Sequence, residues 1–441
     1  MNSWIPNWIM KYFSTNNPNN TVSFREAILQ GLAKDKGLFR PSYIPQLTKT
    51  FLNSLNDLSF QEIALEVAKN FVDGEISNSE LENIINSSIS FPAPLAKLSD
   101  DFSILELFHG PTLAFKDFGA RFMARTMEHF LKTENKEITI LVATSGDTGS
   151  AVANGFYNVE GINVIVLFPG GKISKIQEKQ ITTLGNNITA IEIDGTFDDC
   201  QRLVKSAFVD NELKSKINLS SANSINIGRL IPQSFYYFES FKQLENSNKK
   251  IIYCVPSGNL GNLTAGLIAK KMGLPISKFV AATNSNNVFT EYIDSGIFNP
   301  RASQITLSNA MDVGDPSNLA RIISLYNNDY ELIKNIIFSK SFSDEETLSK
   351  MKEIKDQYDY IIDPHGAVGC LANEQYKINY GESFNSVVLE TAHPAKFLDV
   401  FKNNLEFEPE IPERLSGCLD KESKIIKVSK DYKDFQEFLL S

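Results

Sequence analysis

From about residue 95 to the end of the chain, short β-branched apolar runs alternate with stretches of helical spacing. Strands are predicted at Ile138–Ala143, 164–168, Ile188–Ile193, 251–255, 279–283, 360–362 and 386–389. Helices are predicted at 118–131, 177–183, 198–209, 230–244 and 263–272. This alternation is typical of parallel sheets covered by helices on both faces. We therefore predict an α/β fold, whose ligands bind beyond the carboxyl ends of the strands.

The first part of the chain has a different pattern. Residues 20 to about 90 carry mainly helical spacing, after a polar run at 14–20 that predicts a loop. Ser23, with Glu26 three residues later, predicts a capped helix start. The Phe-Pro-Ala-Pro segment at 91–94 interrupts this pattern. The predicted units are an extension at 1–9, a helical N-terminal domain at 10–95, a small α/β lobe at 96–240 and a large α/β lobe at 241–441.

Charge and composition exclude several classes of protein. The 43 Lys and Arg against 53 Asp and Glu give a net charge of −10, which argues against nucleic acid or an acidic membrane as a partner. No apolar run approaches the roughly 18 residues of a membrane span, and no secretory signal is recognisable, so we expect a cytoplasmic protein. The four cysteines lie far apart without metal-ligand spacing, so we expect reduced structural thiols and no metal site.

A glycine- and asparagine-containing loop follows the predicted strand 251–255 and leads into a helix. Its backbone N–H groups and the helix dipole suit a phosphate dianion, although a plain tight turn is an equal possibility. The loop lacks the lysine of a nucleotide P-loop and the spacing of a dinucleotide site. The candidate phosphate ligands are Gly258, Asn259, Leu260, Gly261 and Asn262.

Three further loops carry polar groups where ligands are expected. The first loop has three hydroxyl groups near a predicted helix start, from Thr144, Ser145 and Thr148, and these suit a carboxylate or an oxyanion. The alternative is that Ser145 or Asp147 only caps the helix. Lys172 follows the next strand, where a solvated lysine is the simpler interpretation. In the loop 222–229, Arg229 suits a bidentate phosphate contact or a surface ion pair. That loop also offers Ser224 and Asn226.

Lys116 lies between two aromatic residues at a predicted helix start. A cation is disfavoured at a helix N-terminus, and apolar neighbours favour the neutral amine, so we expect its pKa to fall below the free value. A neutral amine is what imine chemistry with a carbonyl group requires. The alternative is a lysine whose ammonium simply reaches water. The four histidines form no Ser/His/Asp or Cys/His pattern of a hydrolase.

Four motifs occur in order along the chain: FHGPTLAFKDFG at 108–119, ATSGDTG at 143–149, PSGNLGN at 256–262 and TAHPAKF at 391–397, with LSNAMDV at 307–313 in addition. Together they resemble the threonine synthase family of fold type II pyridoxal phosphate (PLP) enzymes. The resemblance covers nearly the whole chain from about Met10. It implies two parallel-sheet lobes, the small one with the cofactor lysine and the substrate loops and the large one with the loop for the PLP phosphate.

The resemblance also implies roles for individual residues. Lys116 would hold PLP covalently and then move protons, the loop 258–262 would bind the PLP phosphate, and Thr391 would hydrogen-bond the pyridine nitrogen. The substrate would be O-phospho-L-homoserine and the products L-threonine and phosphate. Asp147 joins the expected cofactor residues. The expected substrate residues are Thr144, Ser145, Thr148, Lys172, Ser224, Asn226 and Arg229.

Two alternative classes remain open at this point. A phospho-amino-acid lyase or serine/threonine dehydratase of the same fold would share the cofactor residues but release an oxoacid and ammonia. A non-enzymatic PLP- or phosphoamino-acid-binding protein would keep the phosphate loop and lose the lysine, whereas Lys116 is present. The helical segment before the catalytic region and the HGPT run before Lys116 favour threonine synthase. We expect a monomer or a homodimer.

Overall fold

The computed structural model describes residues 10–72, 74–132, 136–144, 146–244, 249–381 and 384–441. The predicted extension at 1–9 and the candidate substrate residue Ser145 lie outside the described residues. The helices are α1 Phe24–Gln30, α2 Lys49–Asn53, α3 Phe60–Val72, α4 Asn78–Ser88, α5 Lys116–Lys132, α6 Asp147–Gly155, α7 Lys175–Thr182, α8 Phe197–Val209, α9 Asn211–Lys216, α10 Ile227–Leu230, α11 Phe235–Gln243, α12 Gly261–Lys271, α13 Val288–Ser295, α14 Leu319–Leu325, α15 Tyr330–Ile336, α16 Asp344–Tyr358, α17 Pro364–Tyr380, α18 Leu398–Asn404, α19 Glu413–Leu419 and α20 Tyr432–Leu440. The strands are β1 Tyr12–Ser14, β2 Asn17–Val22, β3 Phe39–Pro41, β4 Leu95–Ser99, β5 Phe102–Glu106, β6 Ile138–Ala143, β7 Ile162–Pro169, β8 Ile188–Ile193, β9 Leu219–Ser221, β10 Lys250–Pro256, β11 Ile276–Thr283, β12 Ile337–Ser341, β13 Phe384–Glu390 and β14 Ile426–Val428.

Two large sheets organise the chain. The six-stranded sheet has the order β12-β11-β10-β13-β5-β4 and is parallel except at its β4 edge. The five-stranded sheet has the order β14-β8-β7-β6-β9 and is parallel throughout. The predicted α/β class with two helix-covered parallel sheets is therefore confirmed.

The division between the two sheets differs from the predicted lobes. Strands β4 and β5 belong to the six-stranded sheet, although they lie within or at the edge of the segment 96–240 that we predict as the small lobe. Strand β14 joins the five-stranded sheet from the far end of the segment 241–441. Local apolar patterns identify strands, but the choice of sheet depends on partners that are distant in sequence. The predicted lobe boundaries stay a prediction about the chain segments, and the sheets exchange strands across them.

The N-terminal segment contains a small sheet as well as helices. Strands β1, β2 and β3 form an antiparallel sheet of order β2-β1-β3, where the sequence predicts a loop at 14–20. Strand β2 has the sequence NPNNTV and is largely exposed, so it lacks the apolar alternation by which strands are recognised. The predicted strand at 360–362 is wrong, since these residues form no strand. The predicted capping box of Ser23 and Glu26 at the start of α1 is confirmed.

Buried apolar side chains cover both faces of each large sheet. The largest cluster joins the N-terminal helices and α5 to one face of both sheets. A second cluster packs α16 and α17 against the other face of the six-stranded sheet, and a third packs α8 and α20 on the five-stranded sheet. In the part of the chain that the structure describes, no helix has the length and apolar character needed to cross a membrane.

Candidate active site

Lys116 is the first residue of α5, and the segment before it is attached to the end of strand β13. The Phe115 N–H donates to the Thr391 carbonyl at 2.9 Å, and the His393 N–H donates to the Leu113 carbonyl at 3.0 Å. Ala114 and Ala392 form an antiparallel bridge between these bonds. The backbone pairing therefore places Lys116 beside Thr391, at the carboxyl edge of the six-stranded sheet where ligands are expected.

The turn before Lys116 is closed by Asp117. Its buried carboxylate accepts hydrogen bonds from the Thr112 N–H at 2.8 Å and the Thr112 hydroxyl at 2.6 Å. A Cβ atom on Gly110 would lie 2.4 Å from the same carboxylate, so only glycine fits there. The HGPT segment therefore positions the start of α5.

Asp147 lies between two lysines. Its carboxylate is 3.7 Å from Lys116 Nζ and 2.7 Å from Lys396 Nζ. The Gln177 side chain donates to the same carboxylate at 3.0 Å. Burial acts to raise the pKa of Asp147, but the charges of Lys396 and Lys116 outweigh it and hold the pKa below its usual range. Asp147 therefore carries a negative charge at neutral pH, and the structure brings it to the predicted catalytic lysine.

Burial lowers the pKa of the Lys116 amine, as the sequence predicts. The charge of Asp147 raises this pKa, whereas the charges of Lys396 and Arg229 lower it further, and burial decides the direction. A lowered pKa increases the neutral fraction of the amine, which is the form that reacts with a carbonyl group. Lys116 thus has the electrostatic environment of a reactive lysine.

Lys396 is a site residue for which the sequence motifs predict no role of their own. Its ammonium is buried and donates to the Thr112 carbonyl at 2.9 Å, in addition to the ion pair with Asp147. It therefore ties the α5 start to the α6 start. The signal was present, because Lys396 belongs to the TAHPAKF segment at 391–397, but a lysine in a loop is usually solvated. Gln177 was missed because it lies in helix α7, outside the motifs that the sequence shows.

The loop after β6 is shaped by Thr144. The Thr144 hydroxyl accepts the N–H groups of Gly146 at 2.9 Å and Gly149 at 2.8 Å, and donates to the Gly146 carbonyl at 3.1 Å. A hydroxyl has one donor and two lone pairs, so this one has no capacity left for a ligand. The predicted substrate contact of the Thr144 side chain does not fit this geometry. Thr148 is half-buried, and its hydroxyl has no hydrogen-bond partner within the described ranges.

The predicted phosphate loop connects β10 to α12. Leu260 adopts the left-handed conformation with φ of 58°, a strained backbone for a leucine that is often found at functional sites. A Cβ atom on Gly258 would lie 2.8 Å from the Met311 Cα, so the loop packs tightly on the segment 307–313. Asn259 is fixed on both sides: it donates to the Ser224 hydroxyl at 2.5 Å and accepts the Ser317 N–H at 2.6 Å.

Asn262, in the first turn of α12, has an unused donor. Its amide oxygen accepts the Tyr236 and Tyr237 hydroxyls, both at 2.8 Å. Its amide nitrogen is buried and has no hydrogen-bond partner among the residues described. A buried donor without a partner costs about 1–3 kcal/mol, so such a group indicates a ligand. The unpaired amide at a helix N-terminus, next to a glycine loop, fits the phosphate of PLP.

In the loop 222–229, the side chain of Asn226 is fully hydrogen-bonded within the protein. The amide oxygen of Asn226 accepts the Gly228 N–H, and its nitrogen donates to the carbonyls of Ile28 and Ser221. All its polar groups are used inside the protein, so the predicted substrate contact of Asn226 does not fit this geometry. Ser224 is half-buried and contacts Asn259, which links this loop to the phosphate loop.

Arg229 is a buried cation beside Lys116. A Cβ atom on Gly119, one turn after Lys116 on α5, would lie only 2.9 Å from the Arg229 Nε. One guanidinium nitrogen donates to the Ala222 carbonyl at 2.6 Å, whereas the Nε has no partner among the residues described. Burial lowers the pKa of Arg229 to about 10. Within the same residues no carboxylate forms an ion pair with Arg229, and the more distant charge of Asp117 acts against the effect of burial on its pKa.

Lys172 and Thr391 complete the predicted set. Lys172 is exposed in the turn after β7, and the described contacts do not connect it to Lys116. Thr391 is buried next to the Lys116 segment, and its hydroxyl makes no hydrogen bond within the described part of the chain. The structure therefore brings together Lys116, Asp147, Thr391 and Arg229 and leaves Lys172 at the surface.

Comparison with known proteins defines the class. Residues 92–390 match the family model described as pyridoxal-phosphate dependent enzyme, so the chain is a PLP-dependent enzyme with the fold type II architecture. Residues 11–89 match the model of the threonine synthase N terminus, and residues 366–439 match that of the threonine synthase C-terminal part. The chain belongs to the threonine synthase family. The resemblance seen in the sequence motifs is confirmed.

Individual relatives agree over nearly the whole chain. Threonine synthase from Escherichia coli is 44% identical over 93% of this chain and 95% of its own length. A crystal structure of the Escherichia coli threonine synthase covers 98% of this chain and 99% of its own, with a TM-score of 0.90. A PLP-bound threonine synthase from Brucella melitensis is 33% identical, covers 98% of both chains and has a TM-score of 0.92. The cofactor expectation is therefore confirmed, and the enzyme class is that of PLP-dependent lyases.

Proposed function

We propose that this protein converts O-phospho-L-homoserine and water into L-threonine and inorganic phosphate. The observation that carries this assignment is the position of Arg229, a buried cation without a carboxylate partner in the described residues, beside Lys116. A substrate that bears its own phosphate needs an anion subsite separate from the one for the PLP phosphate. Arg229 offers the first subsite, and the loop around Asn262 offers the second.

Each reactive residue would have a defined task. The backbone N–H groups of 258–262 and the Asn262 amide would hold the PLP phosphate, and the Thr391 hydroxyl would face the pyridine nitrogen. When bound, PLP supplies an electron sink for negative charge that develops on the substrate carbons. Lys116, with its lowered pKa, would take protons from the α- and β-carbons and return them where they are needed.

The overall reaction balances without an oxidant. The bond between the γ-carbon and the phosphate oxygen breaks, and the phosphate leaves with the bonding electrons. Water then adds its oxygen to the β-carbon, and the γ-carbon gains a proton to become the methyl group of threonine. Arg229 would hold the phosphate and stabilise the charge that grows on it as it leaves. Asp147, which stays ionised, would orient Lys116 and keep Lys396 in place.

We assign supporting positions to the remaining candidates. Thr148 and Ser224 would contact the substrate carboxylate or phosphate, as would Ser145, which lies outside the described residues. Lys172 would attract the anionic substrate from the surface, because it lies beyond the carboxyl end of β7. We further propose a cytoplasmic location and a monomeric or homodimeric state. Cell fractionation and light scattering of the purified protein test these two points.

The decisive experiment follows both products at once. The PLP-loaded protein is given O-phospho-L-homoserine, and phosphate and threonine are measured together. Equal amounts are expected. Phosphate with 2-oxobutyrate in place of threonine would contradict the proposal and assign the protein to the lyase alternative, which the comparisons do not favour.

Variants of α5 connect this activity to Lys116. Lys116→Ala should abolish threonine formation and remove the visible absorbance of the lysine-bound cofactor while the protein stays folded. Lys132→Ala is the matched control, since Lys132 ends the same helix and pairs with Glu128 on the exposed face. It should retain full activity. A fully active Lys116→Ala variant would overturn the mechanism.

A further inference from the structure

A basic cavity lies away from the candidate active site. Its volume is about 500 Å³, which falls in the range of small-molecule sites. The N-terminal segment around β3 forms one wall, and the end of α12 with the end of α14 forms the other. The lining includes Arg40, Tyr43, Lys270, Lys271 and Tyr326. Among the lining residues there is no Asp or Glu.

The three cations have only neutral partners. Arg40 donates to the Ser324 hydroxyl at 2.7 Å and the Pro41 carbonyl at 3.1 Å. Lys270 donates to the Ile276 carbonyl, and the Lys271 ammonium lies 4.5 Å from the centre of the Tyr326 ring. Within the described ranges, no carboxylate forms an ion pair with any of the three. This is unusual in a chain with a net charge of −10, where acidic side chains are in excess.

The cations also act on one another. Burial lowers the pKa of Lys271, and the charge of Arg40 lowers it further. Burial alone lowers the pKa of Arg40, to about 10, and that of Lys270. Arg40 and Lys271 repel each other, and together with Lys270 these half-buried charges, which form no ion pair within the described residues, create a region of positive potential. An anion that enters the cavity would relieve this repulsion.

Stabilisation of a helix end does not explain the cluster. Basic residues are common in the last turn of a helix, where they offset about half a unit of negative charge, and Lys270 and Lys271 end α12. Arg40, however, follows Phe39 in β3 and belongs to another part of the chain. The three charges together exceed what the helix end requires. The surplus is available to a ligand.

We propose that this cavity binds a small organic dianion, with a phosphate or dicarboxylate head group held by Arg40 and Lys271. The apolar side chains of Ile44, Leu325 and Ile336, which also line the cavity, would contact the body of such a ligand. The site is distinct from the candidate active site. The phosphate loop lies at the N-terminus of α12 and the cavity at its C-terminus, and a helix of this length spans about 16 Å.

Calorimetric titration of the PLP-loaded enzyme tests the site. Phenyl phosphate and phthalate are the two probes, because they carry the two possible head groups on the same apolar body. Lys271→Gln should weaken binding of at least one probe about tenfold, since it removes one charge-assisted contact. Lys271→Arg should bind like the wild type.

A matched control separates the cavity from general charge effects. Lys334→Gln removes a lysine whose ammonium also lies over a tyrosine ring, at 5.5 Å from Tyr330, but which does not line the cavity. This variant should bind both probes like the wild type. The kcat/KM for O-phospho-L-homoserine, measured without probe, should be unchanged in all three variants, which separates the cavity from the active site.

The result that overturns the proposal is equally clear. If neither probe binds, or if Lys271→Gln binds both as tightly as the wild type, the cavity is not an anion site. In the second case, the binding that remains would belong to the active site. Equal weakening in Lys271→Gln and Lys334→Gln would also overturn it, because the effect would follow net charge alone. Thermal unfolding of each variant confirms that the fold is retained.

Discussion

Two loops face the candidate cofactor and substrate subsites, and each contains one buried asparagine in a different state. Asn226, in the loop 222–229, uses its amide oxygen and both amide hydrogens on Gly228, Ile28 and Ser221. Asn262, in the loop after β10, uses its oxygen on two tyrosine hydroxyls and leaves its amide nitrogen unpaired in the described residues. Both residues are buried asparagines, but only Asn262 has a hydrogen-bond donor left for a ligand.

This difference distinguishes an asparagine that holds segments of the protein together from one that can bind a ligand. A buried amide whose bonds are all made within the protein holds other segments together, and here Asn226 joins the N-terminal helix α1 to the end of β9. A buried amide with an unused donor is costly unless a ligand supplies the acceptor. Within the loop 222–229, the same criterion selects Arg229, whose Nε has no partner among the residues described. A substitution of Arg229 should therefore change substrate kinetics, one of Asn226 the free energy of unfolding, and one of Asn262 the affinity for PLP.

The largest effect is expected at Arg229. Arg229→Gln should lower kcat/KM for O-phospho-L-homoserine about a thousandfold, because loss of a buried charged contact costs about 2–5 kcal/mol. Steady-state kinetics of the PLP-loaded enzyme measure this. PLP affinity should change little, since the cofactor phosphate is assigned to the other loop. Arg125→Gln, which alters an arginine paired with Glu128 on α5, is the control and should remain active. An Arg229→Gln variant with normal kcat/KM would remove Arg229 from the substrate subsite.

Asn226→Ala should act on stability. It removes three buried hydrogen bonds and leaves three backbone groups without partners, so we expect the free energy of unfolding to fall by about 3 kcal/mol. Denaturant unfolding measures the change. The KM for the substrate should stay within a few-fold of the wild type in the folded protein. A large rise in KM with unchanged stability would reverse our assignment of Asn226 to the scaffold.

Asn262→Asp should act on the cofactor. The new carboxylate keeps the acceptor for Tyr236 and Tyr237 but replaces the unpaired donor with a negative charge. The dissociation constant for PLP should rise roughly fiftyfold, because a charge-assisted contact becomes a repulsion. Equilibrium titration with PLP measures this. The free energy of unfolding of the cofactor-free protein should also fall, because the new carboxylate is buried. A PLP affinity equal to that of the wild type would contradict our assignment of the amide.

Much of this arrangement could be predicted from sequence. The strands β6, β7, β8, β10, β11 and β13 are apolar and β-branched, and each ends in a recognisable loop. Lys116 could be found because aromatic residues flank it at a helix start. The order of the motifs then indicated the family. These features depend on neighbours along the chain, which a sequence displays directly.

The rest depends on partners that are distant in sequence. Sequence alone could not distinguish Asn226 from Asn262, because the bonds that occupy Asn226 include one to Ile28 in the N-terminal segment. Lys396 reaches Asp147 only because β13 and β5 pair in the same sheet and place residues 391–397 beside α5. The edge strand β2, rich in asparagine, has no apolar pattern to reveal it.

The smallest effect is expected at the contact that joins the two loops. Ser224 accepts a hydrogen bond from the Asn259 side chain at 2.5 Å, and the Asn318 side chain holds the Asn259 carbonyl at 2.8 Å. Ser224→Ala should remove the first bond only and cost about 1 kcal/mol, equivalent to roughly a fivefold change in a binding constant. Because the bond lies between the loops, PLP affinity and substrate KM should both shift by this amount.

The double variant of Ser224→Ala with Asn259→Ala tests whether the loops act together. If the bond transmits position from one loop to the other, Ser224→Ala should weaken PLP binding no further once Asn259→Ala is present, and the shift in substrate KM should shrink to that of the proposed Ser224 contact with the substrate. PLP titration and steady-state kinetics of the four proteins in this cycle give the coupling. A shift in substrate KM that persists unchanged in the Asn259→Ala background would mean that Ser224 contacts the substrate directly. The two loops would then be adjacent but independent subsites, one for the substrate and one for the PLP phosphate.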